Sequence, residues 1–161
     1  MMGLIENKII ERLCQSEMLK GFDIESFPAN FEEYNFTSSL GCILVCFNGE
    51  DFSEPETLSA TVQTDTYSYT VYLGLRSLSV LSEANPTMHE IKSLLTGYRV
   101  NGKPLYPVNI KYVGKINSSD NFWSLTFKTK QSNASQYDHN VIPAIWTNKP
   151  YSCKEFMQTK Y

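Results

Sequence analysis

The chain has 161 residues, of which 42% are hydrophobic and 19% are charged. These proportions are typical of a folded globular protein and exclude an intrinsically disordered chain, and the length suits one domain. No apolar run approaches the roughly 18 residues that a membrane-spanning helix needs. Charged residues interrupt the first segment, MMGLIENKIIERL, so we expect no signal peptide and no membrane partner.

The net charge of −3 is unevenly distributed along the chain. Residues 1–60 carry eleven acidic and three basic side chains, whereas residues 61–161 carry six acidic and eleven basic ones. Oppositely charged halves favour complementary surfaces in a head-to-tail assembly. The alternative is that the asymmetry only reflects where solvated residues fall. Neither half is basic enough to indicate sequence-specific nucleic-acid binding.

Hydrophobic periodicity predicts one helix and two strands in the first 47 residues. The helix covers residues 3–17, because apolar side chains recur at helical spacing there. A short strand follows at 22–26 and stops at Pro28. A helical turn is expected over 29–36, and then CILVCF predicts a central strand buried on both faces. The apolar stripe of the helix consists of Ile5, Ile9 and Leu13, widened by Leu4, Ile10 and Cys14.

The middle of the chain predicts a loop, a long strand and a second helix. The acidic, turn-rich segment 49–57 is expected to be an exposed loop. A strand over 59–76 follows, with Tyr67, Tyr69, Val71, Leu73 and Leu75 on one face. Asn85 and Pro86 predict the start of the second helix, and Gly97 predicts its end. The apolar stripe of this helix consists of Met88, Ile91, Leu94 and Leu95.

Two further strands are predicted as a hairpin around the turn NSSDN. One strand places Val108, Ile110, Tyr112 and Ile116 on a face, and the other places Trp123, Leu125 and Phe127 on a face. Beyond Thr129 the alternation ends. The order α-β-β-β-α-β-β predicts a single α+β domain over 1–130, with a mixed or antiparallel sheet and two helices on one face. Residues 131–161 are expected to form an extended C-terminal arm.

The four cysteines do not indicate a disulfide framework. Cys42 and Cys46 lie about 13 Å apart along one strand, whereas the Cα atoms of a disulfide lie within about 7 Å. Cys14 is expected on the apolar face of the first helix, and Cys153 belongs to the tail. All four are interpreted as reduced thiols, mostly buried, in a cytoplasmic protein.

Residues with catalytic or metal-binding chemistry are few and scattered. The two histidines, His89 and His139, have no Cys, Asp or Glu partner at metal-ligand spacing. The sequence contains no phosphate-binding glycine loop, nucleophile elbow or HExxH motif. We therefore expect no enzyme, no cofactor and no metal. The alternative, a small enzyme or ligand-binding module, would be favoured by a pocket in which polar groups converge on His89, Tyr98 or Arg99.

Several segments, in this order, carry a resemblance to a known family. They are the helix LIENKIIERL, the strand ending in SFP at 26–28, the apolar strand CILVCFNGE that closes on Gly49, the strand YSYTVYLGLRSLS, the helix HEIKSLLTGYRVNGKPLYP and the strand FWSLTFKT. The long strand carries the pattern V-x-x-G-x-R-x-L on Val71, Gly74, Arg76 and Leu78. The chain resembles the tail-terminator family of Mu-type contractile-tailed phages and related prophage or injection-system elements. The segment 54–66 and the arm beyond Gln131 depart from the family pattern.

The resemblance implies a structural role without substrate, cofactor or metal. Such proteins form a ring, usually a hexamer, that caps the tail tube and joins it to the neck or connector or to the end of the sheath. The implied partners are the chain itself, the tube protein, the connector and the sheath protein, and DNA could pass through the ring lumen. The implied location is the virion tail or a tail-like particle, with assembly in the cytoplasm of the bacterial host. The alternative within this class is another tail, neck or injection-apparatus component.

Two regions are candidate subunit interfaces on chemical grounds. The acidic loop contributes Glu50, Asp51 and Phe52, and the C-terminal arm contributes aromatic residues, which are enriched at interface centres. The aromatic candidates in the arm are Tyr137, Trp146, Tyr151 and Phe156. The alternative for the arm is that these aromatic side chains fold back onto their own domain.

Overall fold

The structure, a computed structural model, describes residues 2–35, 37–55, 62–76, 80–116 and 120–134. It is a single α+β domain built on a six-stranded mixed sheet, as the sequence predicts. The elements in chain order are α1 (Met2–Cys14), β1 (Asp23–Ser26), a 3-10 turn (Phe31–Glu33), β2 (Gly41–Phe52), β3 (Val62–Arg76), α2 (Val80–Leu95), β4 (Arg99–Val100), β5 (Lys103–Ile116) and β6 (Asp120–Ala134). No helix within these ranges is long and apolar enough to cross a membrane.

The strand order in the sheet is β1-β2-β3-β6-β5-β4. β1 pairs with β2 in parallel, and the other neighbours are antiparallel. The last strand, β6, therefore lies between β3 and β5 rather than at an edge. The expected hairpin of the last two strands is confirmed by the pairing of Ile116 with Asp120, while its turn lies outside the described residues.

Both helices pack on the same face of the sheet and form the main core with it. In α1, Ile5, Ile9 and Leu13 are fully buried, which confirms the predicted stripe. In α2, Ile91 and Leu95 are fully buried and Leu94 is partly buried. The sheet contributes alternate residues of β3 and β6, since one face of a strand presents every second side chain. These residues are Tyr67, Tyr69, Val71, Leu73 and Leu75 on β3 and Trp123, Leu125 and Phe127 on β6.

A smaller core covers part of the opposite face of the sheet. Cys42, Leu44 and Phe122 are buried there, against half-buried aromatic rings from the segment that follows β1. Phe27 stacks on Phe31 with ring centroids 5.1 Å apart. Residues 42–45 of β2 are therefore buried on both faces, which confirms the predicted central strand.

Three predicted boundaries were wrong. Residues 49–52 are not a loop but the end of β2, because they pair with β3 after a bulge between Phe47 and Gly49. α2 begins at Val80, so Pro86 lies inside the helix rather than at its start. The helical turn before Pro86 is stabilised by packing, since Ala84 is buried. β6 continues past Thr129 to Ala134, because β3 offers it a partner as far as Val62.

The prediction that Cys14 belongs to the buried stripe was also wrong. Cys14 is exposed at the last position of α1, and Leu4 is exposed near its start. Successive helical residues are separated by about 100°, so the neighbour of buried Leu13 points away from the core. Cys42 is buried and Cys46 is half-buried, and all three cysteines are free thiols. Cys153 lies outside the described residues.

The two thiols Cys14 and Cys42 are expected to react with iodoacetamide at very different rates. Burial raises the pKa of Cys42 to about 12, so little thiolate forms at pH 8, whereas Cys14 is open to solvent. Peptide mass spectrometry of the folded protein should show Cys14 modified at least roughly tenfold faster. A Cys14→Ser variant is the control, because it should leave the slow rate at Cys42 unchanged. Equal rates at the two positions would contradict the burial of Cys42.

Candidate assembly surfaces

The predicted interface residues of the first region lie at the end of β2, on alternate faces of the sheet. Phe52 is 65% exposed, Asp51 is exposed and Glu50 is half-buried. Glu50 is paired with Tyr67 across the strands. Burial, and then the hydrogen bond to the Glu50 carboxylate, raise the pKa of Tyr67. Asp51 and Phe52 are therefore available to a neighbouring molecule, while Glu50 is engaged within the subunit.

A buried carboxylate lies next to exposed Phe52. Asp65 pairs with Phe52 on one side and with Gln131 on the other, and it is 1% exposed. Among the described residues, neither of its carboxylate oxygens has a hydrogen-bond partner. The Gln131 amide donates instead to the Val100 carbonyl and the Thr129 hydroxyl. An unpaired buried carboxylate is costly, so this end of the sheet is stabilised less than its centre.

The four aromatic candidates of the arm, Tyr137, Trp146, Tyr151 and Phe156, lie outside the described residues. Their role as interface residues therefore remains a prediction. The same holds for the expected arm itself, except that 131–134 belong to β6.

The free edge of β5 is a surface that the sequence reasoning did not single out. β4 pairs only with Lys103 and Pro104, and Leu105 exchanges backbone hydrogen bonds with Gly97 and Tyr98, so residues 106–116 have no described strand on their outer side. We call this segment the β5 edge. It bears five of the nine large hydrophobic side chains that the described residues expose, led by Tyr112 at 57%. The five are Tyr106, Val108, Ile110, Tyr112 and Val113.

Two features of the sequence could have indicated that β5 is an edge strand. Pro104 and Pro107 lack a backbone N–H, and proline within a sheet is largely confined to edges. Lys111 and Lys115 are exposed, and lysine is typical of edge strands that must avoid uncontrolled pairing. Two bulges, between Pro107 and Asn109 and between Tyr112 and Gly114, distort the ladder further.

The opposite edge of the sheet is acidic. Residues 23–33, which we call the acidic segment, contain four carboxylates and no basic residue. Asp23 accepts hydrogen bonds from the backbone N–H groups of Thr37 and Ser38, which lower its pKa. Glu25 accepts a hydrogen bond from the Tyr34 hydroxyl. Glu32 and Glu33 are exposed on the 3-10 turn, beside the half-buried rings of Phe27 and Phe31.

A family model described as Gp37 protein matches residues 9–147, a range that contains every strand of the sheet. The chain belongs to the Gp37 protein family. The two sheet edges described above both lie within the matched residues.

Solved structures give the fold a wider context. A chain in the structure titled "Virion of native gene transfer agent (GTA) particle" is 9% identical, with a TM-score of 0.58, and the match covers 81% of this chain and 96% of that chain. A second structure, titled "Np_888769.1", is 7% identical, with a TM-score of 0.46 and coverage of 85% and 94%. The first similarity is one of fold. No curated protein matches the chain.

His89, Tyr98 and Arg99, the candidates for a ligand pocket, have separate environments in this Gp37 family member. His89 is exposed on α2. The Arg12 guanidinium lies over the Tyr98 ring, 5.3 Å from its centroid, and Arg99 donates to the Gly102 carbonyl. Within the described ranges, no group of three or more His, Cys, Asp or Glu residues could hold a metal ion. The contacts of these residues thus support the packing of α1 and of the β4–β5 turn.

Proposed function

We propose that this chain is a non-enzymatic structural protein of a phage-type virion or tail-like particle, and that it acts as the tail terminator. In this role, copies of the chain form a ring, a hexamer in the family it resembles, that caps the tail tube. The ring joins the tube to the neck or connector and lies at the end of the sheath. The protein assembles in the cytoplasm of the bacterial host and remains in the virion tail.

The observation that carries the proposal is the match in fold to a chain of the gene transfer agent virion. The match covers 96% of that chain, so it involves a whole protein of a virion rather than a shared motif. The Gp37 family match and the order of the sequence segments support the same class of protein. The exposed apolar edge of β5 supports an assembly role, since large exposed hydrophobic surfaces mark protein contacts.

The proposal is tested with the tube protein of the same genetic element. The tube protein is polymerised in the presence of gold-labelled chain and examined by electron microscopy. A terminator should appear at one end of each tube, and tube length should fall as the chain is added in larger amounts. Label along the whole tube, or no label on any tube, would contradict the tail-terminator role.

The same experiment examines the second candidate, another component of the tail or neck. Such a protein would bind the connector or sheath without limiting tube length. The exposed β5 edge is compatible with this role as well, because it indicates assembly without specifying the partner. Tube length is therefore the measurement that separates the two candidates.

A further inference from the structure

The β5 edge combines apolar and basic character. Within residues 106–116 the exposed side chains include Val108, Ile110, Tyr112 and Val113, together with Lys111 and Lys115. β5 contains no acidic residue along its whole length. None of its lysines forms an ion pair with another described residue. A partner for this edge should therefore offer both an apolar surface and carboxylates.

The acidic segment offers these two properties at the other end of the same sheet. Glu32 and Glu33 are exposed and form no described ion pair. The rings of Phe27, Phe31 and Tyr34 lie beside them and are only partly buried. Aromatic rings flanked by carboxylates can receive an apolar strand that carries lysines.

The two surfaces cannot meet within one subunit. β2, β3 and β6 separate β1 from β5, which places the two edge strands about 19 Å apart at the usual strand spacing. Each copy of the chain therefore presents both surfaces, one at each end of its sheet, and they are available only to other molecules. Complementary charge on opposite ends of one molecule favours a head-to-tail contact between identical copies.

We propose that the β5 edge of one subunit docks on the acidic segment of a second copy of this chain. Ile110, Tyr112 and Lys115 share one face of β5, because they pair with Leu125, Trp123 and Asn121 of β6. In the proposed contact Ile110 and Tyr112 meet the aromatic rings, Lys115 faces Glu32 and Glu33, and Lys111 approaches the same carboxylates from the other face of the strand. This inference rests on the proposed function in one respect, since both require copies of the chain to associate. It adds the two surfaces through which the copies make contact, which the proposed function does not specify. A heterologous contact of this kind repeats from subunit to subunit and can close into a ring.

Charge reversal on each surface tests the proposal. The variants are Lys111→Glu with Lys115→Glu on the β5 edge, and Glu32→Lys with Glu33→Lys on the acidic segment. The mass in solution is measured by light scattering across protein concentration and salt. Each double variant alone should weaken association at least roughly a hundredfold, because like charges then face each other. An equimolar mixture of the two double variants should restore assembly in alternating order, because every contact between unlike variants then pairs glutamates with lysines. The quadruple variant, in which every pair is reversed together, should also assemble.

Two matched controls change charge elsewhere on the subunit. Lys92→Glu on α2 and Glu11→Lys on α1 alter exposed residues outside both surfaces and should leave association unchanged. Circular dichroism of every variant verifies folding. If the wild-type chain is a monomer at all concentrations, the inference is wrong, while tube capping can still succeed. If it forms oligomers that neither double variant weakens, the surface assignment is wrong and the proposed ring stands.

Discussion

Replacing Gly41 with alanine is expected to lower the free energy of unfolding by roughly 3–5 kcal/mol. Gly41 begins β2 with a φ of +151°, and a Cβ atom added there would lie 1.9 Å from the Gly74 carbonyl oxygen. The contact is with backbone of the paired strand β3, so no side-chain rotation relieves it. The two strands would have to separate where Gly41 pairs with Leu75. Urea denaturation followed by circular dichroism measures the loss.

Gly49→Ala is a matched control for this prediction. Gly49 lies in the same strand with the same φ of +151°, but an added Cβ atom would meet no atom within 4 Å. Because the two positions share the same φ, the difference between the variants reports mainly the steric contact with Gly74. Similar urea midpoints for the two variants would show that the strands adjust without cost, contrary to the prediction.

The second large effect is expected at Leu73 in the middle of β3. Its side chain is fully buried between the helices and the sheet, where Leu→Ala substitutions leave a cavity. Leu73→Ala should cost about 2–5 kcal/mol in the free energy of unfolding. The same substitution at Leu4, which is 53% exposed on α1, should change it by less than about 0.5 kcal/mol. Thermal and urea denaturation of the two variants test the difference, and equal losses would contradict the assigned core.

The parts of the fold with clear periodicity were predictable from sequence. Ile5, Ile9 and Leu13 recur at helical spacing, and Tyr69, Val71 and Leu73 alternate as one strand face. Burial then follows directly, since each pattern places its apolar residues on one side. Local signals also sufficed for the C-terminal end of α2, where Gly97 has a φ of +78°.

Sequence patterns alone did not predict the elements whose structure depends on tertiary contacts rather than on local preference. Residues 49–52 have the composition of a turn, but β3 provides a partner strand for them. Pro86 favours a helix start, but the helix extends six residues before it. The parallel pairing of β1 with β2 depends on the path of the chain between them, which no local pattern encodes.

The candidate site was predicted only in part. The sequence placed Asp51 and Phe52 on the surface and assigned the apolar residues of β5 to a strand face. It did not show that β5 is an edge strand, because strand order is a property of the whole sheet. Only the completed sheet shows that Ile110 and Tyr112 extend beyond the area that the helices cover. The uneven charge along the sequence predicted complementary surfaces for a head-to-tail assembly, and their contact stays a prediction.

The position of β6 has a consequence for biosynthesis. The ribosome makes this strand after every other described element, yet β6 is the strand that joins the β2–β3 half of the sheet to β5. Until residues 120–134 have been translated, the nascent chain holds two separate sets of strands, because β3 and β5 both lack the strand that pairs them. The late step is slow in principle, because the β3–β6 pairing connects residues far apart in the chain. A stop codon before Asp120 would therefore leave two fragments of a sheet rather than a shortened domain.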